Sequence, residues 1–338
     1  MTRNQLLAAA ATAAAVVAGA GGVLLLRSHS TAVHHAAQGG VSTRAEFGFL
    51  HEPDIIDLLT STRGTPPPTP APTPQAATSS HGGGTSGGGQ TTARSRTHWH
   101  FTANSNFDAS GKFLPAADGF NIADVSSVDE VNRLPAGDKG MVWVGMCGGA
   151  TSSFASYVQP FAGNSRVFGF YLMDEPDPAS CTASNLAQES DWIHAHVPGT
   201  YTFIIMMNLG ADESPTYAEP AGSYTPQNSH LDLVALDPYP VRGGNPDYGE
   251  ITRSVAAAKA IGWSQASIVP VYQAFGGGNW SGGWTLPTVA EEQQILAAWA
   301  AVVPSPVFDY AYSWGSQNGD TALSQSAALQ QVFAAHNR

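Results

Sequence analysis

Three features of the 338-residue chain predict a closed, parallel (β/α)8 barrel over residues 97–338. Eight apolar runs of strand length recur there, most are followed by a segment of helical period, and none leads into a Gly-rich phosphate loop. Near-continuous apolar strands imply burial on both faces, as in a parallel sheet covered by helices. Eight such units in about 240 residues match a closed barrel. A doubly wound open sheet is the alternative.

The runs are HWHFTA (98–103), GFNIADV (119–125), MVWVGM (141–146), VFGFYLM (167–173), YTFIIMM (201–207), LDLVALD (231–237), SIVPVYQ (267–273) and FDYAYSW (308–314). Capping-box spacing marks two helix starts, Ser127 with Glu130 and Thr288 with Glu291. Ile295, Leu296, Trp299, Val302 and Val303 form one apolar helix face, and Ile251, Val255, Ala258 and Ile261 form another. FDASGKFLPAA, between the first two runs, has no helical pattern. The first βα unit is therefore expected to be degenerate.

Ahead of the barrel the chain changes character. Residues 1–30 carry an apolar run, Leu6 to Leu26, that reads as a signal peptide or a membrane anchor. Arg3 and Arg27 flank it, so charge does not set its orientation. Residues 31–63 are undefined, with one amphipathic stretch from Glu46 to Leu59. Residues 64–96 combine a polyproline-type stretch with a Gly-rich one and read as a disordered linker. The barrel is then expected to be secreted or tethered to the outer face of a membrane, touching lipid only through its N-terminal segment.

With 26 acidic against 14 basic residues, the net charge is −12. Such a chain is poorly suited to neutralise phosphates, which argues against nucleic acid and favours an uncharged or cationic ligand. No cofactor motif stands out, and a monomer is expected. The barrel histidines show no metal-ligand spacing beyond His194 and His196, which face different sides of a helix, so no metal site is read. Cys147 and Cys181 both follow rim positions on adjacent strands. A disulfide between them would stiffen that edge, and we favour it over a nucleophilic cysteine because no histidine pairs with either.

Reactive groups in a parallel barrel project from the C-terminal strand ends. The strongest signal is GFYLMDEPDP, where Asp174 and Glu175 directly follow the fourth strand. Partial burial among Tyr171, Tyr239 and Trp314 would raise a carboxyl toward the pKa of a general acid. Asp237, in LDLVALDPYP, is the second carboxylate, and Asp124 a weaker third. Glycosidic cleavage ordinarily uses two. Asn208, Gln273 and Tyr239 are read as hydrogen-bonding a sugar, Asn121, Asp124 and Tyr171 as further substrate-binding residues, and Trp143, Tyr239, Tyr312 and Trp314 as stacking platforms for sugar rings. FGGGNWSGGW adds Trp280 and Trp284 on a flexible, Gly-rich loop.

This strand-end pattern resembles the glycoside-hydrolase superfamily of (β/α)8 barrels, of exported bacterial type, over residues 97–338. The resemblance implies an acid/base role for Glu175, at the end of the fourth strand. Trp314, in YSWG, looks like the tryptophan that ends the eighth strand in the large retaining clan. Gln273 stands where that clan has its nucleophile glutamate. Glutamine is no nucleophile, so the pattern leaves two possibilities open. One is a glycosidase using Glu175 with Asp237 or Asp174, for which chitinase-like families, with a substrate acetamido group as nucleophile, offer a precedent. The other is a non-catalytic carbohydrate-binding barrel of the cell envelope.

Overall fold

The computed structural model describes residues 97–206, 223–280 and 282–338. The expected N-terminal segment, the linker and Asn208 lie outside the described residues. No helix among the described residues is long and apolar enough to cross a membrane.

Eight parallel strands close into a barrel in the order β1 (His100–Thr102), β2 (Ile122–Val125), β3 (Lys139–Trp143), β4 (Val167–Met173), β5 (Tyr201–Met206), β6 (Leu233–Leu236), β7 (Ile268–Gln273) and β9 (Asp309–Tyr312). Each falls within one of the eight predicted runs or overlaps it. Between β1 and β2 there is only a 3-10 turn at Pro115–Asp118 and an isolated bridge between Phe107 and Phe113, so the first unit is degenerate as expected. The other connections carry α1 (Val128–Arg133), α2 (Ser152–Val158), α3 (Ala183–His196), the short α4 (Pro226–Ser229), α5 (Gly249–Ala260), α6 (Val289–Val302) and α7 (Ala327–His336). β8 (Phe275–Gly277) and β10 (Asp320–Ala322) lie outside the barrel and pair antiparallel.

Local chemistry explains the helix starts. Ser127 Oγ accepts from the Glu130 amide at 3.2 Å while Glu130 Oε2 accepts from the Ser127 amide at 3.1 Å. Thr288 and Glu291 make the same reciprocal pair at the start of α6. A cap of this kind contributes about 1 kcal/mol.

Alternation along each strand divides the core into two layers. Outward residues such as Val142, Phe170, Ile204 and Val234 pack against Phe154, Ile193, Val255, Ile295 and Trp299 of the helices. Inward residues fill the barrel with Phe101, Met141, Phe168, Phe203, Val269 and Tyr310. Phe308 closes its lower end, edge-on to Phe203 at 5.3 Å and Phe168 at 5.6 Å. Full burial of such a ring stabilises by roughly 1.5–3 kcal/mol. In β4, a Cβ on Gly169 would lie 2.6 Å from the Tyr201 carbonyl oxygen, so the close approach of β5 demands glycine.

Candidate active site

β4 slips register between Tyr171 and Met173, and the chain turns sharply beyond its end. Glu175 sits in the left-handed region at φ 41°, a costly conformation for a residue with a Cβ and one that clusters at functional sites. Several contacts hold that turn. Cys147 and Cys181 form the expected disulfide, with Cα atoms 5.4 Å apart. The Tyr224 hydroxyl donates to the carbonyls of Pro176 at 3.3 Å and Cys181 at 2.5 Å. Asn185 donates to the Cys147 carbonyl. Behind them, Glu189 accepts from the Gly149 amide, and burial pushes its carboxyl up to about 8.

The turn presents a cluster of acids to an apolar mouth. Asp237, just beyond β6, is 4% exposed and hydrogen-bonds with Glu175. Burial pushes Asp237 up to about 7; the Glu175 bond opposes the shift, and the charges of Asp174 and Glu250 reinforce it. Asp237 Oδ1 has no hydrogen-bond partner among the described residues. The Tyr171 hydroxyl donates to Asp174 Oδ1 at 2.5 Å, which fixes that carboxylate. Asp124, on β2, accepts from the Asn104 amide at 3.3 Å. Burial and the surrounding acids raise the phenols of Tyr171, Tyr239, Tyr310 and Tyr312 well above 10, so they stay neutral.

Aromatic rings wall the mouth. Trp143 meets Tyr171 edge-on at 4.7 Å, and Tyr239 contacts Tyr312, Phe275 and Trp284. Trp280 and Trp284 are half-buried rather than displayed on a flexible loop. The β8–β10 pairing frames them, and the Trp280 indole donates to Asp320 Oδ2 at 2.8 Å. Asp320 Oδ1 accepts from the Gln317 amide, and Gln317 Oε1 accepts from the Tyr312 hydroxyl at 2.6 Å. One buried carboxylate thereby fixes two parts of the wall. Asp320 carried no signal in the sequence, because Trp280 reaches it only when β8 and β10 pair.

Three expected ligand contacts are placed elsewhere. Asn121 precedes β2, at the end of the barrel opposite the mouth, where it accepts from the His100 amide at 2.8 Å and donates to the His98 carbonyl at 2.7 Å. Gln273 is fully buried, and its side chain is spent on backbone: Oε1 accepts from the Val241 amide, and Nε2 donates to the carbonyls of Val241 and Thr285. It staples the β6 loop to the segment after β8 and has no group left for a sugar. Trp314 is 6% exposed and packs in the layer between strands and helices, so Tyr312 faces the mouth in its place. A further cluster escaped the sequence reading of the histidines. His100 and His336 meet Asp309 on its two oxygens, at 2.8 Å each, with ligand-type atoms within 4.8 Å of one another.

No protein-family model matches the chain, and no curated protein matches it. It is similar to several solved structures. One, described as an alpha-L-fucosidase from Bacteroides thetaiotaomicron, is 11% identical, with 70% of this chain and 89% of that one covered at a TM-score of 0.45. A GH18 chitinase from Pseudoalteromonas aurantia is 12% identical, covering 69% and 98% at 0.43. The spore cortex-lytic enzyme SleL of Bacillus cereus is 8% identical, covering 66% and 69% at 0.43. The barrel assignment rests on the strand pairing above, and no residue role is carried over from these proteins.

Proposed function

We propose that this protein is an exported glycoside hydrolase acting on a polysaccharide or cell-envelope glycan. The observation that carries this reading is the hydrogen-bonded pair of exposed Glu175 and buried Asp237, at the rim of an aromatic mouth. Two carboxyls so close cannot both ionise easily, so the pair retains a proton near neutral pH. Glu175 gives that proton to the glycosidic oxygen as the leaving group departs, and water then adds to the anomeric carbon and returns a proton to the Glu175 carboxylate. Asp237 shares that proton with Glu175 before the transfer, and the pair carries one more negative charge until a proton returns. Hydrogen-bonded carboxyls are closer than the roughly 5–5.5 Å or more needed to flank a sugar, so Asp237 in this position serves Glu175 rather than attacking the anomeric carbon. Asp174, oriented by Tyr171, faces the positive charge that develops on the ring. Tyr239 and Tyr312 offer neutral hydroxyls and apolar faces to the sugar, with Trp143 and Tyr171 beside them.

Export is supported by the apolar N-terminal run and by the disulfide, since such bridges persist in oxidising compartments. The test is reducing-end release by the native chain from a panel of polysaccharides that includes bacterial cell-wall glycans. Glu175→Gln should lower turnover by about 10³-fold, within the range for losing a general acid, while leaving the melting temperature nearly unchanged. Equal release by both proteins would refute the role of Glu175. The commitment of Gln273 to backbone favours one other reading, a barrel that binds glycans without cleaving them. Retained binding without release by either protein would select it.

A further inference from the structure

The mouth leaves buried polar atoms unsatisfied, a condition native proteins seldom tolerate without a reason. One is Asp237 Oδ1, and another is Nδ2 of Asn104, the second residue past β1. Asn104 is 4% exposed and takes φ 70°; Ser105 follows at φ 51°. Two successive left-handed residues need strong support from their surroundings. Part of it comes from the loop after β9: the Trp314 amide donates to the Ala103 carbonyl, and a Cβ on Gly315 would lie 2.8 Å from the Asn104 carbonyl oxygen. Part comes from the Asn104 backbone, whose amide donates to Asp124 and whose carbonyl accepts from Asn106 Nδ2. The main chain is thus held firmly while the side-chain amide lies beside the Tyr312 hydroxyl, where it lowers that phenol as a donor does, and Nδ2 still makes no bond of full geometry. Trp284 Nε1, in the segment after β8, is a third orphaned atom and a second donor.

We propose that Asn104 is a substrate-contacting residue, donating from Nδ2 to an oxygen of a neutral sugar whose hydroxyl donates to the free Oδ1 of Asp237. β1 and β6 stand three strands apart around the barrel, so the two atoms approach a ligand from different sides. A sugar hydroxyl or acetamide can satisfy a donor and an acceptor together. Charge narrows the class. The charges acting most strongly on Asp237, Tyr171, Tyr239, Tyr310 and Tyr312 all come from acids or other phenols. The guanidinium of Arg242 is paired with Glu250 and lies over Trp284. An anionic sugar would meet repulsion without compensation. The inference rests on the glycan reading above and adds to it a residue and a substrate charge.

The test is a titration of the full chain, 15N-labelled at asparagine and tryptophan, with cellotetraose, tetra-N-acetylchitotetraose and tetragalacturonate. The side-chain amide of Asn104, identified by its loss in Asn104→Asp, should shift with a neutral tetramer and not with tetragalacturonate. Asn104→Asp keeps a residue tolerant of left-handed backbone but removes the donor. It should weaken binding of that tetramer at least tenfold with little change in melting temperature. Movement of the Trp280 and Trp284 indole signals with a still Asn104 amide would overturn the proposal, as would preference for tetragalacturonate. If no tetramer moved any of these signals, the glycan reading itself would fail and this inference with it.

Discussion

Asp309 and Asp237 are buried almost equally, at 2% and 4% exposure, near opposite ends of the same barrel. Asp309 opens β9 at the N-terminal end. Its oxygens accept from His100 Nδ1 and His336 Nε2 at 2.8 Å, and from the Tyr272 hydroxyl at 3.3 Å. Burial alone would raise its carboxyl, but the two histidines outweigh it and hold the group well below the usual range. Asp237 follows β6 at the C-terminal end. It faces other acids, keeps one oxygen without a partner, and is pushed up to about 7. Burial is the same, yet the outcome is opposite, because partners rather than depth decide what a buried carboxylate does. The satisfied aspartate ties α7 to β1 and β9. The other pairs with Glu175 and keeps Oδ1 without a partner among the described residues.

The largest expected effect falls on the satisfied end. Asp309→Asn removes the charge on which both histidines converge, and breaking a buried pair costs about 3–5 kcal/mol. For a domain of this size the melting temperature should fall by about 10 °C, read by calorimetry. An unmoved transition would show that the network does not hold the C-terminal helix. A smaller effect separates the two sites by sign. The lowered Asp309 contributes stability that is present above the unfolded value near 3.8 and is lost as pH falls below it. The raised Asp237 does the reverse: its contribution is fully present below about pH 4 and is lost as pH rises through about 7. Melting temperatures from pH 5 to 8 should therefore decline less steeply in Asp237→Asn than in the native chain. Parallel curves would mean that Asp237 is already ionised at pH 5.

The barrel was legible because closure buries both faces of every strand, leaving eight apolar runs that composition alone reveals. Helix starts were legible because a capping box is local, spanning Ser127 to Glu130 or Thr288 to Glu291. The positions of Glu175 and Asp237 at strand ends were legible because each follows an apolar run. What escaped depends on contacts distant in sequence. His100 and His336 meet only when the barrel closes and brings the ends of the domain together. β8 and β10 are three residues each, rich in small side chains, and pair across more than forty positions. Strand alternation ends at Tyr312, so it could not place Trp314, which turned into the outer layer. Asn121 was assigned to the wrong end because the predicted run began before the strand does. Gln273 was read as a ligand contact, and only the folded loops show that backbone claims its amide.

A carboxyl proton held in the mouth near neutral pH is what Glu175 needs to release a leaving oxygen. Infrared difference spectra between the native chain and Asp237→Asn, taken from pH 4 to pH 9, test it without any substrate. A protonated-carboxyl band is expected in the native chain that persists at pH 6, disappears as pH rises through about 7 and is altered by the substitution. Loss of that band below pH 5 would contradict it, because the Glu175–Asp237 pair would then have no proton to give.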